Sequence, residues 1–335
     1  MEALFNWLEK DQFISLKEIQ AIRKLTSNAL STCYRIETHT SKYIIKMYDA
    51  EIAQTLYKLN LDDLISQVEY QESVIQDASQ NRYEVPHAIS FNGHIYVPFE
   101  KYLIYIMDFI EGEILNITSY TLKQVSDVGR ALALVHQVDF SKYRMEHWEN
   151  KKNCVKNYAT IFLNMYDPQK IKMAFPFLDQ AFIDFLDQNV QAFVKGPIYN
   201  MDISKTQQNL VFSHYDIKPK NILWKNPETF IILDWETSCL HFRSCDYLET
   251  LLAFGHTTEE GNFYIHLDYI DAFKNGYQSV YPEKIVIEDK DIHALVFGEV
   301  IWLHVNLLNN NQEEVKKIIS YLTFIQKNIP FLKSL

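Results

Sequence analysis

Two short apolar runs, Ile222–Trp224 and Phe230–Leu233, flank the turn-forming segment KNPET within a stretch of chain that otherwise reads as helix. Runs of this length on either side of a turn predict a β-hairpin, so a plain helical bundle is excluded. The polar ends of the hairpin narrow the choice further. Ser213–Glu236 reads SHYDIKPKNILWKNPETFIILDWE: Asp216 and Asn221 lie on a Pro-containing loop before the first strand, and Asp234 ends the second. A tight hairpin sets those ends side by side. Asp, Asn and Asp offer hard oxygen ligands, which suit Mg2+ carrying nucleotide phosphates and suit neither zinc nor iron. An aspartate left over beside such a cation can accept a proton from a hydroxyl nucleophile. The plainer alternative is an exposed hairpin whose polar ends face water. Against it stands a compound pattern, H-x-D-x-x-x-x-N followed by apolar-apolar-x-D at a strand end.

Around this hairpin the period of the apolar residues changes. Ala21–Leu25, Cys33–Glu37 and Tyr43–Tyr48 read as strands, a helix follows at about 62–77, and more strands run up to Tyr102–Asp108. Beyond Gly112, spacing at three and four residues predicts helices over Leu122–Val138, Ala181–Val194, Phe263–Tyr277, Ile292–Leu308 and Glu314–Ile325. The chain is 47% hydrophobic and 14% aromatic, enough apolar surface to offset chain entropy. Its 32 basic residues against 43 acidic ones give a formal net charge of -11, which repels a phosphate backbone and attracts cationic small molecules. Nucleic acid is therefore not an expected partner. The most apolar stretch, Ile292–Leu308, is interrupted by His293, Glu299, His304 and Asn306, so no membrane is expected either. MEALFNWLEKDQ carries acids where a secretory signal carries bases. Cys33, Cys154, Cys239 and Cys245 show no CxxC spacing, and together these features predict a cytoplasmic protein.

HYDIKPKNILW with IILDWE, and secondarily YIMDFIEGE and GRALALVHQVDF, resembles the aminoglycoside phosphotransferase and choline kinase group, small-molecule kinases with a protein-kinase-like fold. The resemblance runs from about Leu25 to Phe254. It implies a bilobal α+β fold: residues 1–108 as a small nucleotide-binding lobe with a five-stranded antiparallel sheet and one helix, and 109–335 as a large, mainly helical lobe for catalysis and acceptor binding. By resemblance Asp216 is the base, Asn221 and Asp234 hold Mg2+, and ATP or GTP supplies the phosphate. His214 becomes an anchor of the loop, and His136 a core histidine. Lys46, alone in the apolar run Tyr43–Lys46, looks like the lysine that pairs with the phosphates, although a solvent-facing strand lysine reads the same. Its partner is expected on the following helix, where Glu72 shares a face with Val68 and Ile75 and is preferred to Glu69. The phosphate-covering loop departs from the family pattern. Leu25–Ile36 holds no glycine, so Ser27, Asn28 and Ser31 would supply the donors. YIMDFIEGE looks like the connector whose main chain near Asp108 and Ile110 bonds the purine edge. Asp246 opens the helix SCDYLETLLAF with Ser244 as N-cap, and the resemblance adds a bracing role for Asp246 at the catalytic loop.

A Ser/Thr protein kinase is the competing reading, because Lys218 matches the lysine of an H-R-D-L-K-P-E-N loop. Against it, Asp-Trp-Glu replaces the D-F-G turn, no A-P-E segment follows, and helix-rich residues from Asp139 to Ser213 precede the loop. A non-catalytic pseudokinase is a further alternative, but it has no physical need to keep Asp216, Asn221 and Asp234 together. Cys239–Leu335 is acidic, with Glu259, Glu260, Asp268 and Asp271 among its charges. A carboxylate-lined pocket there would suit an aminoglycoside, choline or another amine-bearing alcohol, whereas a merely solvated helix surface would leave a neutral sugar or a macrolide open.

Overall fold

The computed structural model describes residues 4–5, 7–8, 14, 16–27, 31–80, 85–90, 93–139, 156, 159–200, 210–259 and 262–335. Along the chain run β1 (Ile19–Ser27), β2 (Ser31–Thr38), β3 (Lys42–Asp49), α1 (Ala50–Tyr57), α2 (Leu61–Gln80), β4 (Tyr96–Phe99) and β5 (Tyr102–Asp108). The helical part holds α3 (Leu122–Val135), α4 (Pro168–Ala174) and α5 (Gln180–Lys195). It continues with β6 (Leu210–Ser213), β7 (Ile222–Asn226), β8 (Thr229–Ile232), β9 (Cys239–Phe242), α6 (Arg243–Gly255), β10 (His256–Glu259) and β11 (Asn262–Ile265). Last come α7 (Leu267–Gln278), α8 (Asp289–Leu308), α9 (Gln312–Lys327) and α10 (Ile329–Ser334). The described residues fall into two compact units. Those of Met1–Glu113, Tyr143–Ala159 and Leu223–Glu236 belong to the first, and those of Ile114–Lys142, Thr160–Ile222 and Thr237–Leu335 to the second.

In the first unit, five strands pair antiparallel in the order β1-β2-β3-β5-β4. Strand alternation sends Ile45 and Met47 to one face, where they join Ile36, Ile104 and Ile106 and the N-terminal Leu4, Trp7 and Leu8. Tyr48 and Tyr105 face the other way, onto Ala53, Leu64 and Val68 of the two helices. Lys46 alternates with Ile45 and Met47 and so lies on the helix-covered face, opposite Cys33 on one neighbour and Tyr105 on the other. It is 6% exposed, which excludes a solvent-facing strand lysine. Two helices, rather than the expected one, lie between β3 and β4. The extra turn pair, α1, forms because the Asp49 carboxylate caps it, accepting from Glu51 and Ile52 N–H groups at 3.0 and 3.1 Å. The connector after β5 is tied to the hairpin: Glu113 and Trp224 exchange both main-chain bonds, at 2.8 and 2.9 Å. Gly112 permits that approach, since a Cβ there would lie 2.8 Å from the Trp224 carbonyl oxygen.

The second unit is mainly helical. Thr121 and Gln124 form a capping box that starts α3, which packs closely on α7. Gly129 and Gly276 set that distance, because an added Cβ would lie 2.2 Å from the Phe273 oxygen and 1.9 Å from the Ser126 oxygen. Helix α8 is long and apolar enough to cross a membrane by composition, yet Ile292, Leu295, Val296, Val300 and Leu303 are buried, and α5, α6 and α9 pack against it. It is a core helix. The hairpin β7–β8 is formed with a turn at residues 227–228, but from Leu223 onward it belongs to the first unit; the second unit has β pairs of its own, β6 with β9 and β10 with β11, both antiparallel. The helix expected from Phe263 therefore starts four residues later, at Leu267. Asn262–Ile265 pairs as a strand, and Phe263 stacks on His256 and Tyr321 at 4.5 and 4.8 Å.

Candidate active site

Among the described residues, Lys46 is the one buried cation of the first unit's candidate site. Its Nζ donates to Asp234 Oδ1 at 2.8 Å and pairs with Glu236 Oε2 at 2.6 Å. Burial works to lower the ammonium's pKa, but Glu236, Tyr48 and Asp234 outweigh it and hold it well above its ordinary value. The turn after β8 produces this convergence. Asp234 takes a left-handed φ of 63°, a conformation non-glycine residues adopt at a cost and keep where the surroundings fix it. Trp235, 1% exposed, is pinned by its Nε1–H donating to Ile232 O at 2.8 Å. With Trp235 held in the core, the carboxylates on either side of it both turn to the same ammonium.

The expected Lys46–Glu72 pair is not formed. Glu72 is 4% exposed and already engaged, accepting from the Tyr105 hydroxyl at 2.6 Å and from Ala88 N–H at 3.3 Å. Glu69 accepts from the Tyr96 hydroxyl at 3.2 Å. Of the loop residues, Ser31 is buried opposite Tyr48 at the start of β2, only the backbone of Ser27 is described, and Asn28 lies outside the described residues. Asp108 closes β5 opposite Tyr43, and Ile110 follows Phe109, whose N–H is taken by Lys42 O at 3.2 Å.

The second unit carries the catalytic-loop segment. Tyr215 has a left-handed φ of 62°, and its ring packs 4.6 Å from that of His241. His214 is fully buried and its carbonyl accepts from Thr237 Oγ1 at 2.9 Å. Asn221 ends a 3-10 turn over Pro219–Asn221 and grips Asp216 twice: Nδ2 donates to Asp216 O at 2.8 Å and to Asp216 Oδ2 at 2.7 Å. Only an amide NH2 can make both bonds, so the amide orientation is fixed and its Oδ1 points elsewhere as a hard acceptor. Lys218 pairs with the other carboxylate oxygen, Asp216 Oδ1. Asn221 Oδ1 and the Asp234 carboxylate are oxygen donors of the kind Mg2+ accepts alongside phosphate oxygens. Behind the loop, both ring nitrogens of His136 are hydrogen-bonded, Nε2 with Asp246 Oδ2 at 2.9 Å and Nδ1 with the Tyr277 hydroxyl at 2.7 Å, a satisfied core histidine. Burial works to raise the Asp246 carboxyl, but the bond and charge of His136 hold it below its ordinary value. Ser244 is not the N-cap. Helix α6 starts one residue before it, and its hydroxyl donates to Asp291 Oδ1 at 2.8 Å.

Two carboxyls that sequence reasoning passed over belong to this neighbourhood. Glu249 on α6 and Glu299 on α8 are only partly exposed. Burial, reinforced by Asp246, Glu299 and Asp216 and opposed by Lys218, pushes Glu249 up to about 8. Burial also pushes Glu299 up to about 7, with Lys218 opposing and Glu314 reinforcing it. The charge of Glu249, followed by burial, in turn raises the Tyr215 hydroxyl well above its ordinary value. The acids singled out from the sequence lie elsewhere: Glu259, Asp268 and Asp271 are exposed, and Glu260 lies outside the described residues. Cys33, Cys239 and Cys245 are free thiols, and Cys154 lies outside the described residues.

Residues 21–282 match the model of the phosphotransferase enzyme family. No curated protein matches in sequence. Among solved structures, the chain resembles a spectinomycin phosphotransferase in complex with ADP and spectinomycin, with a TM-score of 0.57 at 17% identity over 97% of this chain and 98% of that one. It also resembles the GDP complex of an aminoglycoside 2'-phosphotransferase, with a TM-score of 0.57 at 14% identity over 98% of each chain. A choline kinase from Cryptosporidium parvum Iowa II gives 0.53 at 14% identity over 99% of this chain and 90% of that one. At these identities the likeness establishes the kinase-like fold: an antiparallel sheet at the N-terminal end and a mostly helical remainder.

Proposed function

The chain belongs to the phosphotransferase enzyme family, and from that premise we propose that it moves the γ-phosphate of ATP or GTP to a hydroxyl of a small amine-bearing acceptor, an aminoglycoside-like molecule or an amino alcohol. The observation that carries this reading is the Asp216–Asn221 clamp, with Lys218 paired to Asp216 and both Glu249 and Glu299 in the field of that lysine. Asp216, held on two sides, orients the acceptor hydroxyl and takes its proton as the oxygen attacks phosphorus. Asn221 Oδ1 and Asp234 hold Mg2+, which neutralises charge on the transferring phosphate when bound. Lys46 pairs with the phosphates. The sheet-bearing residues hold the nucleotide, and the helical residues hold the acceptor. Carboxyls raised to about 8 and about 7 are poised to ionise when an ammonium arrives, since an opposite charge lowers a carboxyl pKa.

The test is nucleotide consumption and phosphate-ester formation with Mg2+ and ATP or GTP, across aminoglycosides, amino alcohols, neutral sugars and macrolides. Transfer to amine-bearing alcohols, lost when the amine is acetylated, is expected. Transfer confined to neutral acceptors would overturn the acceptor class, and no transfer to any of them would return the pseudokinase reading to first place.

A further inference from the structure

Lys46 is the buried ammonium on which the phosphate-anchoring role above rests, and an ammonium on a four-carbon stem needs a fixed partner if it is to stand ready in one place. The sequence assigns that duty to a glutamate of the following helix. In the structure, Glu72 cannot take it without loss. Tyr105 is fully buried and its hydroxyl donates to Glu72 Oε2 at 2.6 Å. Turning Glu72 toward Lys46 would strand that hydroxyl away from water with no acceptor. Ala88 N–H, which also donates to Glu72, would lose its partner with it.

We propose that Glu236 is the positioning residue of Lys46, in place of Glu72. Its Oε2 stands 2.6 Å from Nζ, and the two side chains are 19% and 7% exposed, so the pair is shielded from the screening that makes surface ion pairs weak. The backbone specifies the contact. The left-handed Asp234 and the pinned Trp235 place Glu236 in the 3-10 turn Trp235–Thr237, facing the strand that carries Lys46. Asp234, the other partner of Nζ, is the residue proposed above to hold the cation as well. Glu236 also answers a question the Asp-Trp-Glu segment raises: the position occupied by glycine in a D-F-G turn carries a carboxylate here, and that carboxylate has a specific target.

The proposal rests on the phosphate-anchoring reading of Lys46, and two measurements separate them. The first is a double-mutant cycle in urea on the nucleotide-free protein with Lys46→Met, Glu236→Gln and Glu72→Gln. A Lys46–Glu236 coupling of about tenfold or more in the unfolding equilibrium constant is expected, with Lys46–Glu72 near unity. The second is ADP affinity with and without Mg2+. Glu236→Gln should weaken ADP about fivefold or more in both conditions, with no further loss in a Lys46→Met background, and Glu236→Asp should recover part of it. A larger coupling to Glu72 would overturn the assignment. So would a Glu236→Gln loss confined to Mg2+-ADP, which would make Glu236 a ligand of the cation. If Lys46→Met leaves ADP affinity unchanged while the coupling stands, the phosphate-anchoring reading fails and the Lys46–Glu236 pair survives it. Should Glu236→Gln fail to fold, Glu236→Asp carries both comparisons.

Discussion

Replacing Glu249 by glutamine removes a carboxyl that the folded chain holds protonated far above its ordinary pH range. The sign follows from proton counting. The unfolded carboxyl titrates at 4.5 and the folded one at about 8, so between those values the native state binds the extra proton and stability falls as pH rises. Linkage then gives wild type a loss of about 2 kcal/mol from this group between about pH 6 and about pH 8, an upper value because partial exposure and coupling to Glu299 reduce it. Glu249→Gln lacks that share. The variant should match or trail wild type near pH 6 and gain on it steadily toward pH 8, narrowing the pH dependence by roughly 1–2 kcal/mol. Urea titrations at several pH values with a shared m-value provide the measurement. Parallel pH profiles for variant and wild type would mean that Glu249 is ionised in the folded protein, and the description of a neutral, ligand-poised carboxyl would be wrong. The same variant bears on the acceptor: if an ammonium ionises Glu249 on binding, wild type should release protons near pH 7, detectable as a buffer-dependent binding enthalpy, and Glu249→Gln should release fewer.

Asp216→Asn should lower phosphoryl transfer by roughly two orders of magnitude or more while nucleotide affinity stays within about twofold, since proton acceptance is lost and the phosphate site is untouched; near wild-type turnover would refute the base assignment. Asp234→Ala should lower both nucleotide affinity and rate, with raised Mg2+ recovering part of the affinity and little of the rate; calorimetry showing unchanged Mg2+ dependence would remove Asp234 from the metal site. Gly276→Ala should cost about 2 kcal/mol or more in urea unfolding, because its Cβ would sit 1.9 Å from the Ser126 oxygen and force α3 and α7 apart. A neutral substitution there would mean that the two helices slide without penalty.

The contact between Asp216 and Asn221 was legible because only a short Pro-containing loop separates them, where spacing alone constrains placement. Lys46 was legible as a polar residue in an apolar strand. Its partner was not. Helix periodicity preferred Glu72 to Glu69 as that partner, but Glu72 is taken by Tyr105, a residue 33 positions away on another strand. Glu299 was visible only as a charge interrupting the apolar run of α8, which counted against a membrane span; that a lone acid in a core helix calls for a functional account was the signal passed over. Glu249, in YLETLLAF, sits where one acid per turn looks like ordinary surface. Helix interiors followed from period, while strands of four residues escaped: β6 pairs with β9 across a long connection that leaves no local signature, and β10 and β11 are too short for their alternation to stand out beside the helix period that follows.

Among the described residues, the carboxyls of each unit's candidate site outnumber the lysine that faces them. In the first, Lys46, the one buried ammonium among the described residues, serves two carboxylates, Asp234 and Glu236. In the second, Lys218 pairs with Asp216 and is the cation that opposes the rise of both Glu249 and Glu299. Burying a carboxylate without a counter-charge costs several kcal/mol, and a folded chain meets that cost by protonation or by binding a cation. The first site holds its surplus as ionised oxygens around a lysine, which suits a hard divalent cation arriving with phosphates. The second holds its surplus as protonated carboxyls, which suits a softer and larger charge that arrives on a substrate and displaces a proton. An acceptor carrying an ammonium group satisfies the second deficit, and a neutral sugar does not. For this reason the pH dependence of acceptor affinity separates the two acceptor classes: affinity for an amine should rise from about pH 6 toward about pH 8 as Glu299 and then Glu249 ionise, whereas affinity for a neutral sugar should stay flat or fall.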